Sequence, residues 1–390
     1  MNESTPPQPS DGAASKKLHF ALGLGAVLAV TVFGIGGFFG LRSGGPIEIG
    51  AILALTGSIA DQGLWVQHGL ELAREEINRE GIRGRKLVVI YEDARLDPKW
   101  AIAAYHNLKL RHKLPAVITM GSSVGITLTP ILNDDKVIQM GVATSTPEYS
   151  TPDDFSFRVF EASQLETKYL AEAIRNAFGF DAVAMLWIHN NYGKGLKESF
   201  EAAFRKVGGR IVFSQAFEHG EREFKGHLLT LVKAKPDAIV LAPHTEEGAL
   251  IVKQARELGI DLPLFSSQAI VGKALLSIAG KRAEGLLIVG PQFDVESAAE
   301  PIRGFREAYA AKYGENPEMY AARAYDALRI IAKALTNCGE SDTECIKSYL
   351  FGVRDYVGVS GTLSFDRHGD VIRPLELRVV EGGQVVRYRR

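Results

Sequence analysis

The side chains best placed for chemistry in this sequence are small hydroxyls beside glycine. Gly121-Ser122-Ser123-Val124-Gly125 satisfies G-x-S-x-G, the spacing that presents a nucleophilic Ser at a strand-to-helix turn. That reading makes Ser123 the nucleophile and requires a His base and an acid later in the chain. His189, His219, His227, His244 and His368 follow, yet none stands in a partner motif, and no His-Gly-Gly-type oxyanion segment precedes the Ser. With 40 Gly in the chain, a pattern with three fixed positions arises by chance. A serine hydrolase is therefore the lesser alternative. A second hydroxyl cluster, Ala143-Thr144-Ser145-Thr146-Pro147, follows another apolar run. Further along come His189-Asn190-Asn191-Tyr192-Gly193, Pro243-His244-Thr245 and Ser266-Ser267-Gln268. These segments carry hydroxyls, amides and one phenol, with no carboxylate before Glu246. Free N–H groups at a helix start, with hydroxyls beside them, suit an anion such as a carboxylate. The competing role is local: each Ser or Thr caps its own helix. Two hydroxyl-rich strand ends in one sheet favour a binding site.

Other chemistry finds little support. His106 and His112, six apart, do not share a helix face, and the two cysteines lack a second pair, so no metal site is expected. Asp134-Asp135 and Asp153-Asp154 read as solvated charges. No G-x-x-x-x-G-K-S/T phosphate loop occurs, and no cofactor is called for. Cys338 and Cys345 flank a short polar loop, and in an oxidising compartment they can bridge, adding about 2–3 kcal/mol by the chain-entropy argument. Two unpaired thiols at neighbouring helix ends are the alternative.

These loops must be positioned by a regular scaffold. Short β-branched runs at 47–53, 86–91, 116–120 and 137–142 alternate with helical patterns at 62–79, 99–113 and 126–134. After 155–160 the rhythm restarts, with strands at 182–188, 210–217, 237–242 and 285–289 between helices near 164–178, 193–207, 224–233 and 246–258. Such alternation means βαβ units and parallel sheets covered on both faces. Two successive sets mean two sheets. The stretch 301–335 reads as mostly helix, and the tail as antiparallel strands with a hairpin around Glu381-Gly382-Gly383. In open α/β sheets ligands bind beyond the carboxyl ends of the strands, where the hydroxyl loops fall.

The 390 residues exceed one ordinary domain, and 46% hydrophobic with 23% charged residues is a globular balance. A net charge of −1 without a basic block argues against nucleic acid. A polar head, residues 1–17, ends in Lys16-Lys17 and leads into an uncharged apolar stretch from Leu18 to Leu41. That stretch matches the roughly 20 residues needed to cross a bilayer core as a helix. It is longer than a usual secretory core and ends without a small-residue cleavage pattern, so an uncleaved anchor is expected rather than a cleaved signal. Two Lys before the span and one Arg after it favour a cytoplasmic N-terminus, with everything from Pro46 outside.

An ordered set of short motifs resembles the leucine/isoleucine/valine-binding proteins of ABC importers. It comprises Ala54-Leu55-Thr56-Gly57, Asn78-Arg79-Glu80-Gly81, Glu92-Asp93-Ala94, Gly121-Ser122-Ser123, Ala143 to Glu148, Tyr192-Gly193-Lys194-Gly195, Tyr325-Asp326-Ala327 and Gly358 to Asp366. The resemblance implies a type I periplasmic-binding fold: two Rossmann-like α/β lobes with parallel sheets, joined by a three-strand hinge. Lobe one is placed at 46–163 and 292–372, lobe two at 164–291 and 373–390. It further implies a small-molecule ligand (an amino acid, an amide or a small organic acid), membrane permease partners and an inner-membrane, periplasm-facing location. Carried over by position, Ser122, the Ala143 carbonyl and Ser145 hold the ligand carboxylate, with Ser123 and Thr144 beside them among the ligand-binding residues. Tyr192 closes over it, His244 and Gln268 face it from lobe two, and Trp65 and Tyr320 supply walls. The family places an acid at the position of Gln268, so an amide there departs from the pattern for binding an ammonium group. A ligand-sensing receptor of the same fold is the remaining alternative.

Overall fold

The computed structural model describes residues 44–389; the expected apolar span at 18–41 lies outside the described residues. Strands β1 (Ile47–Leu53), β2 (Leu87–Asp93), β3 (Ala116–Met120), β4 (Ile138–Ala143) and β5 (Ser156–Arg158) form a parallel sheet in the order β2-β1-β3-β4-β5. Central β3 is buried at every residue, as a strand covered on both faces must be. Helices α2 (Pro98–Arg111) and α3 (Ser122–Asp134) cover one face through Tyr105, Leu108, Val124 and Leu128. The other face is covered by α1 (Ala60–Glu80) and by α10 (Met319–Cys338), which returns from late in the chain. At their crossing a Cβ on Gly69 would sit 2.1 Å from the Ala321 carbonyl oxygen. Only glycine lets these two helices approach so closely.

The second sheet repeats the plan. After α4 (Ser163–Glu172) come β6 (Ala182–Ile188), α5 (Asn191–Lys206), β7 (Arg210–Phe217), α6 (Lys225–Val232), β8 (Ala238–Ala242), α7 (Thr245–Glu257), β9 (Leu264–Ser266), α8 (Lys273–Ala279) and β10 (Leu287–Pro291). The stretch expected to be mostly helical divides into α9 (Ile302–Tyr313) and α10. Left-handed Gly314 ends the first, and Pro317 separates the two. Then follow α11 (Thr343–Phe351), a small sheet of β11 (Tyr356–Gly358), β12 (Gly361–Phe365) and β13 (Val371–Ile372), and the hairpin β14 (Leu375–Glu381) and β15 (Gln384–Arg387). The order β15-β14-β10-β9-β8-β6-β7 is parallel except for the hairpin, which adds antiparallel to β10. Cys338, ending α10, is disulfide-bonded to Cys345 in α11.

The chain leaves the first large sheet after Arg158, leaves the second after Pro291, and returns to the second from the small sheet after Ile372. Buried charges tie these crossings together. Arg158, fully buried, holds Asp370 through Nε (2.7 Å) and Nη2 (2.9 Å) and donates to the Thr146 carbonyl at 2.7 Å. Glu161, in the first crossing, pairs with Arg323 of α10 and with Arg373 of the third crossing, whose Nε lies 3.1 Å away. Arg373 also donates to the carbonyls of Val159 (3.0 Å) and Ser360 (2.9 Å). Charges taken out of water are tolerable only when paired in this way.

Candidate functional site

The site is built where strands of both sheets end. One residue, Gly121, separates β3 from α3, and its φ of 95° is open chiefly to glycine. A Cβ there would lie 2.2 Å from Leu96 Cδ1. The helix thus begins at Ser122, four residues before the expected Ile126, because the turn is completed within a single glycine. No side chain caps α3, so its opening N–H groups are free to meet an anion. Ser122 Oγ accepts long hydrogen bonds from the N–H groups of Ser145 (3.3 Å) and Thr146 (3.4 Å), which joins the two strand ends into one polar surface.

The second lobe presents neutral groups. Asn190 caps α5 by accepting the Gly193 N–H at 2.9 Å, which sets Tyr192 in the first turn. The Tyr192 hydroxyl lies 2.6 Å from Ser267 Oγ, and its ring stacks on His244 at 5.2 Å. Burial pulls His244 down to about 4, so it is neutral near neutral pH. With Asn190 Nδ2 donating to His244 Nε2 (3.2 Å), the Nδ1–H is left as a donor.

The lobes meet through Gln62 and Asp61 at the start of α1. Gln62 Nε2 donates to Thr245 Oγ1 (2.8 Å) and to the carbonyls of Val271 (2.7 Å) and Ala269 (3.2 Å). Asp61 Oδ2 accepts the Lys273 N–H at 2.7 Å. Between these contacts lies a cavity of about 30 Å³, lined by Ile59, Gln62, Leu96, Gly121, Ser122, Ala143, Ser145, Phe160, Tyr192, His244, Ala269 and Tyr320. Hydroxyls and a helix start face a phenol and an imidazole across a largely apolar floor.

This architecture recurs in known proteins. The family model for periplasmic binding proteins matches residues 46–384. The chain belongs to that family. Among its relatives, a Leu/Ile/Val-binding protein homolog from Brucella suis is 24% identical over 359 residues, covering 91% of this chain and 93% of the relative. A leucine-binding protein from Thermotoga maritima superposes with a TM-score of 0.83 at 27% identity, covering 88% of this chain and 98% of that one. A solute-binding protein of an ABC transporter from R. palustris, in complex with benzoate, superposes at 0.80 with 18% identity, covering 88% and 95%. Membership makes the described unit a solute-binding protein that works outside the cytoplasm.

Within this periplasmic binding protein the sequence-derived residues divide into two groups. Ser122, Ala143, Ser145, Tyr192, His244 and Tyr320 line the cavity. The Ala143 carbonyl accepts the Gly121 N–H at 3.0 Å; as an acceptor it suits an N–H group of a ligand and not a carboxylate oxygen. Four others stand elsewhere. Ser123 sits in the first turn of α3, next to Ser122, and is not among the residues that line the cavity. Thr144 is fully buried beside the lining, with its hydroxyl unpartnered among the described residues. Trp65 backs the site by stacking on Tyr320 (6.3 Å) and faces a separate, open groove of about 1000 Å³ shared with Lys273, Glu318 and Arg378. Gln268 is buried behind Ala269, its amide oxygen so close to Gly290 that a Cβ there would come within 2.2 Å.

Sequence reasoning missed Ile59, Leu96, Phe160 and Glu166. The first three lie in loops or a crossing, where no periodicity marks them. Glu166 lies in the first turn of α4, fully buried, and accepts the Gln268 N–H at 3.2 Å. Burial pushes it up to about 8; the Glu161 charge adds to that, while the Gln268 N–H and Arg323 oppose it.

Proposed function

We propose that this chain is the substrate-binding component of an ABC importer, closing its two lobes on a small carboxylate-bearing solute: an amino acid, an amide-bearing acid or a simple organic acid. One observation carries the reading. An uncapped helix start with the Ser122 hydroxyl and the Ser145 N–H faces Tyr192 and His244 across a cleft sealed by Gln62. A carboxylate docks on the first lobe, where helix amides and hydroxyls donate to it. The second lobe then closes, and the ligand stabilises closure by the contacts it makes only there. Relatives that bind leucine, and one neighbour that holds benzoate, support a carboxylate end and leave the rest of the ligand open. Permease subunits read the closed outer surface, and the apolar segment 18–41 tethers the receptor beside them.

The test is a thermal-shift screen of the full chain in mild detergent against amino acids, amides and organic acids, followed by calorimetry. Stabilisation by at least one carboxylate, lost when the acid is replaced by its methyl ester, is the expected result. Binding indifferent to esterification would remove the carboxylate site from Ser122 and Ser145.

A further inference from the structure

The turn between β2 and α2 is built against local preference. The Asp97 N–H donates to the Ala94 carbonyl at 2.7 Å, closing a four-residue turn around Arg95 and Leu96. Both central residues are left-handed, with φ of 51° and 60°. Two positive φ values in succession are the pattern of a type I′ turn, whose central positions favour Gly, Asn and Asp. A residue with a Cβ is disfavoured in that region, so a leucine at the second position is strained.

The strain is held by the surroundings. Asp93 accepts the N–H groups of Leu55 (3.0 Å) and Arg95 (2.9 Å) and the Thr56 hydroxyl (2.6 Å). The Ala94 N–H donates to the Leu53 carbonyl at 2.7 Å, and Asp97 caps α2 by accepting the Lys99 N–H at 2.7 Å. The two central side chains go different ways. Arg95 lies outside, its guanidinium 4.5 Å from the centre of the Trp100 ring. Leu96 is half-buried and lines the cavity, with Cδ1 pressed against Gly121, one residue before Ser122. A strained residue whose side chain ends at a ligand site points to a role there. The space left beside it, about 30 Å³, is room for about two water molecules.

Resting on the proposed carboxylate-binding function, we propose that Leu96 sets the length of the solute: it fills the first-lobe end of the cavity, so that the site takes a short-chain carboxylate of roughly two to four carbons. The turn holds the leucine over Gly121, where no Cβ competes for the space. The solute then has its carboxylate at the start of α3 and little chain beyond it. Leucine and benzoate, the ligands of two relatives, are both larger. A purely structural Leu96 would affect stability and leave the preferred chain length unchanged.

The test measures affinities of the full chain in mild detergent by calorimetry for two series, acetate to octanoate and glycine to 2-aminooctanoate. In the wild type the tightest member should have at most about four carbons, with leucine and benzoate weaker by roughly tenfold or more. Leu96→Gly suits the turn and removes the whole isobutyl group, so it should move the optimum to chains longer by about two to four carbons. Each methylene newly buried should gain roughly fourfold. Leu96→Ala, which keeps its Cβ, should give a smaller shift in the same direction. A wild-type optimum at longer chains, or an optimum unmoved in both variants, would overturn the length assignment and leave the carboxylate receptor standing. If neither series binds, the carboxylate reading falls and this proposal with it. The wild-type optimum decides the matter even if a variant folds poorly.

Discussion

Closure of the two lobes rests on few contacts, and Gln62 makes the densest set. Gln62→Ala removes one amide that reaches Thr245, Ala269 and Val271 across the cleft. An NH2 group has two hydrogens, so at most two of the three contacts are at full strength together. At about 1 kcal/mol net for each, the closed form loses about 2 kcal/mol, or roughly thirtyfold in the closed-to-open ratio. Thr245 keeps weak bonds to the same two carbonyls (3.3 and 3.4 Å), so the vacated acceptors are not abandoned and the estimate needs no large desolvation addition. Small-angle scattering of the ligand-free protein should show a larger radius, and calorimetry a ligand affinity weaker by up to the same factor. Gln62 also lines the cavity, so a lost ligand contact must be separated from lost closure. Asp61→Ala does so: Asp61 bonds Lys273 across the lobes and does not line the cavity. Its removal should weaken affinity roughly fivefold through closure alone. If both variants keep the wild-type radius and an affinity within about twofold, these contacts do not govern closure.

Three further outcomes are expected. The variant Ser122→Ala should lose about 1.5–3 kcal/mol of carboxylate affinity by calorimetry, from one hydrogen bond to a charged group. Arg158→Ala strips a fully buried guanidinium from Asp370 and should cost about 3–5 kcal/mol in urea unfolding, an unchanged midpoint counting against the ion pair as a hinge brace. His244 titrates at about 4 when folded, through burial, against 6.5 when unfolded. Its neutral form therefore contributes stability that is full above about pH 6.5 and is lost as pH falls toward about 4, on the order of 3 kcal/mol, and His244→Gln should flatten that part of the urea-midpoint profile.

Much of the first-lobe lining of the candidate cavity is legible in the sequence. Ser122 and Ser145 follow apolar, β-branched runs, and the rule that ligands sit beyond strand ends points directly at them. Tyr192 and His244 follow for the same reason. What misled was side-chain direction. Ser123 is adjacent to Ser122 in sequence but about 100° around the helix, and Trp65 turns its ring onto Tyr320. Thr144, between two lining residues, points into the protein. The early start of α3 was hidden because Ser-Ser-Val-Gly reads as a loop until Gly121 is known to complete the turn.

Glu166 marks the limit of local reading. In Gln164-Leu165-Glu166-Thr167-Lys168 it is one polar residue among others on an ordinary helix, with no signal of burial. Its environment comes from Gln268, 102 residues away, from Glu161 in the first crossing and from Arg323 in α10. The sequence by itself determined the alternation of strands and helices, the two parallel sheets and the strand ends that bear hydroxyls, because backbone preference and burial period are set among near neighbours. Only the tertiary structure decided which of those side chains meet, which carboxyl is buried and which amide closes the cleft. Desolvation and charge pairing depend on segments that approach only when the lobes and their three crossings are assembled.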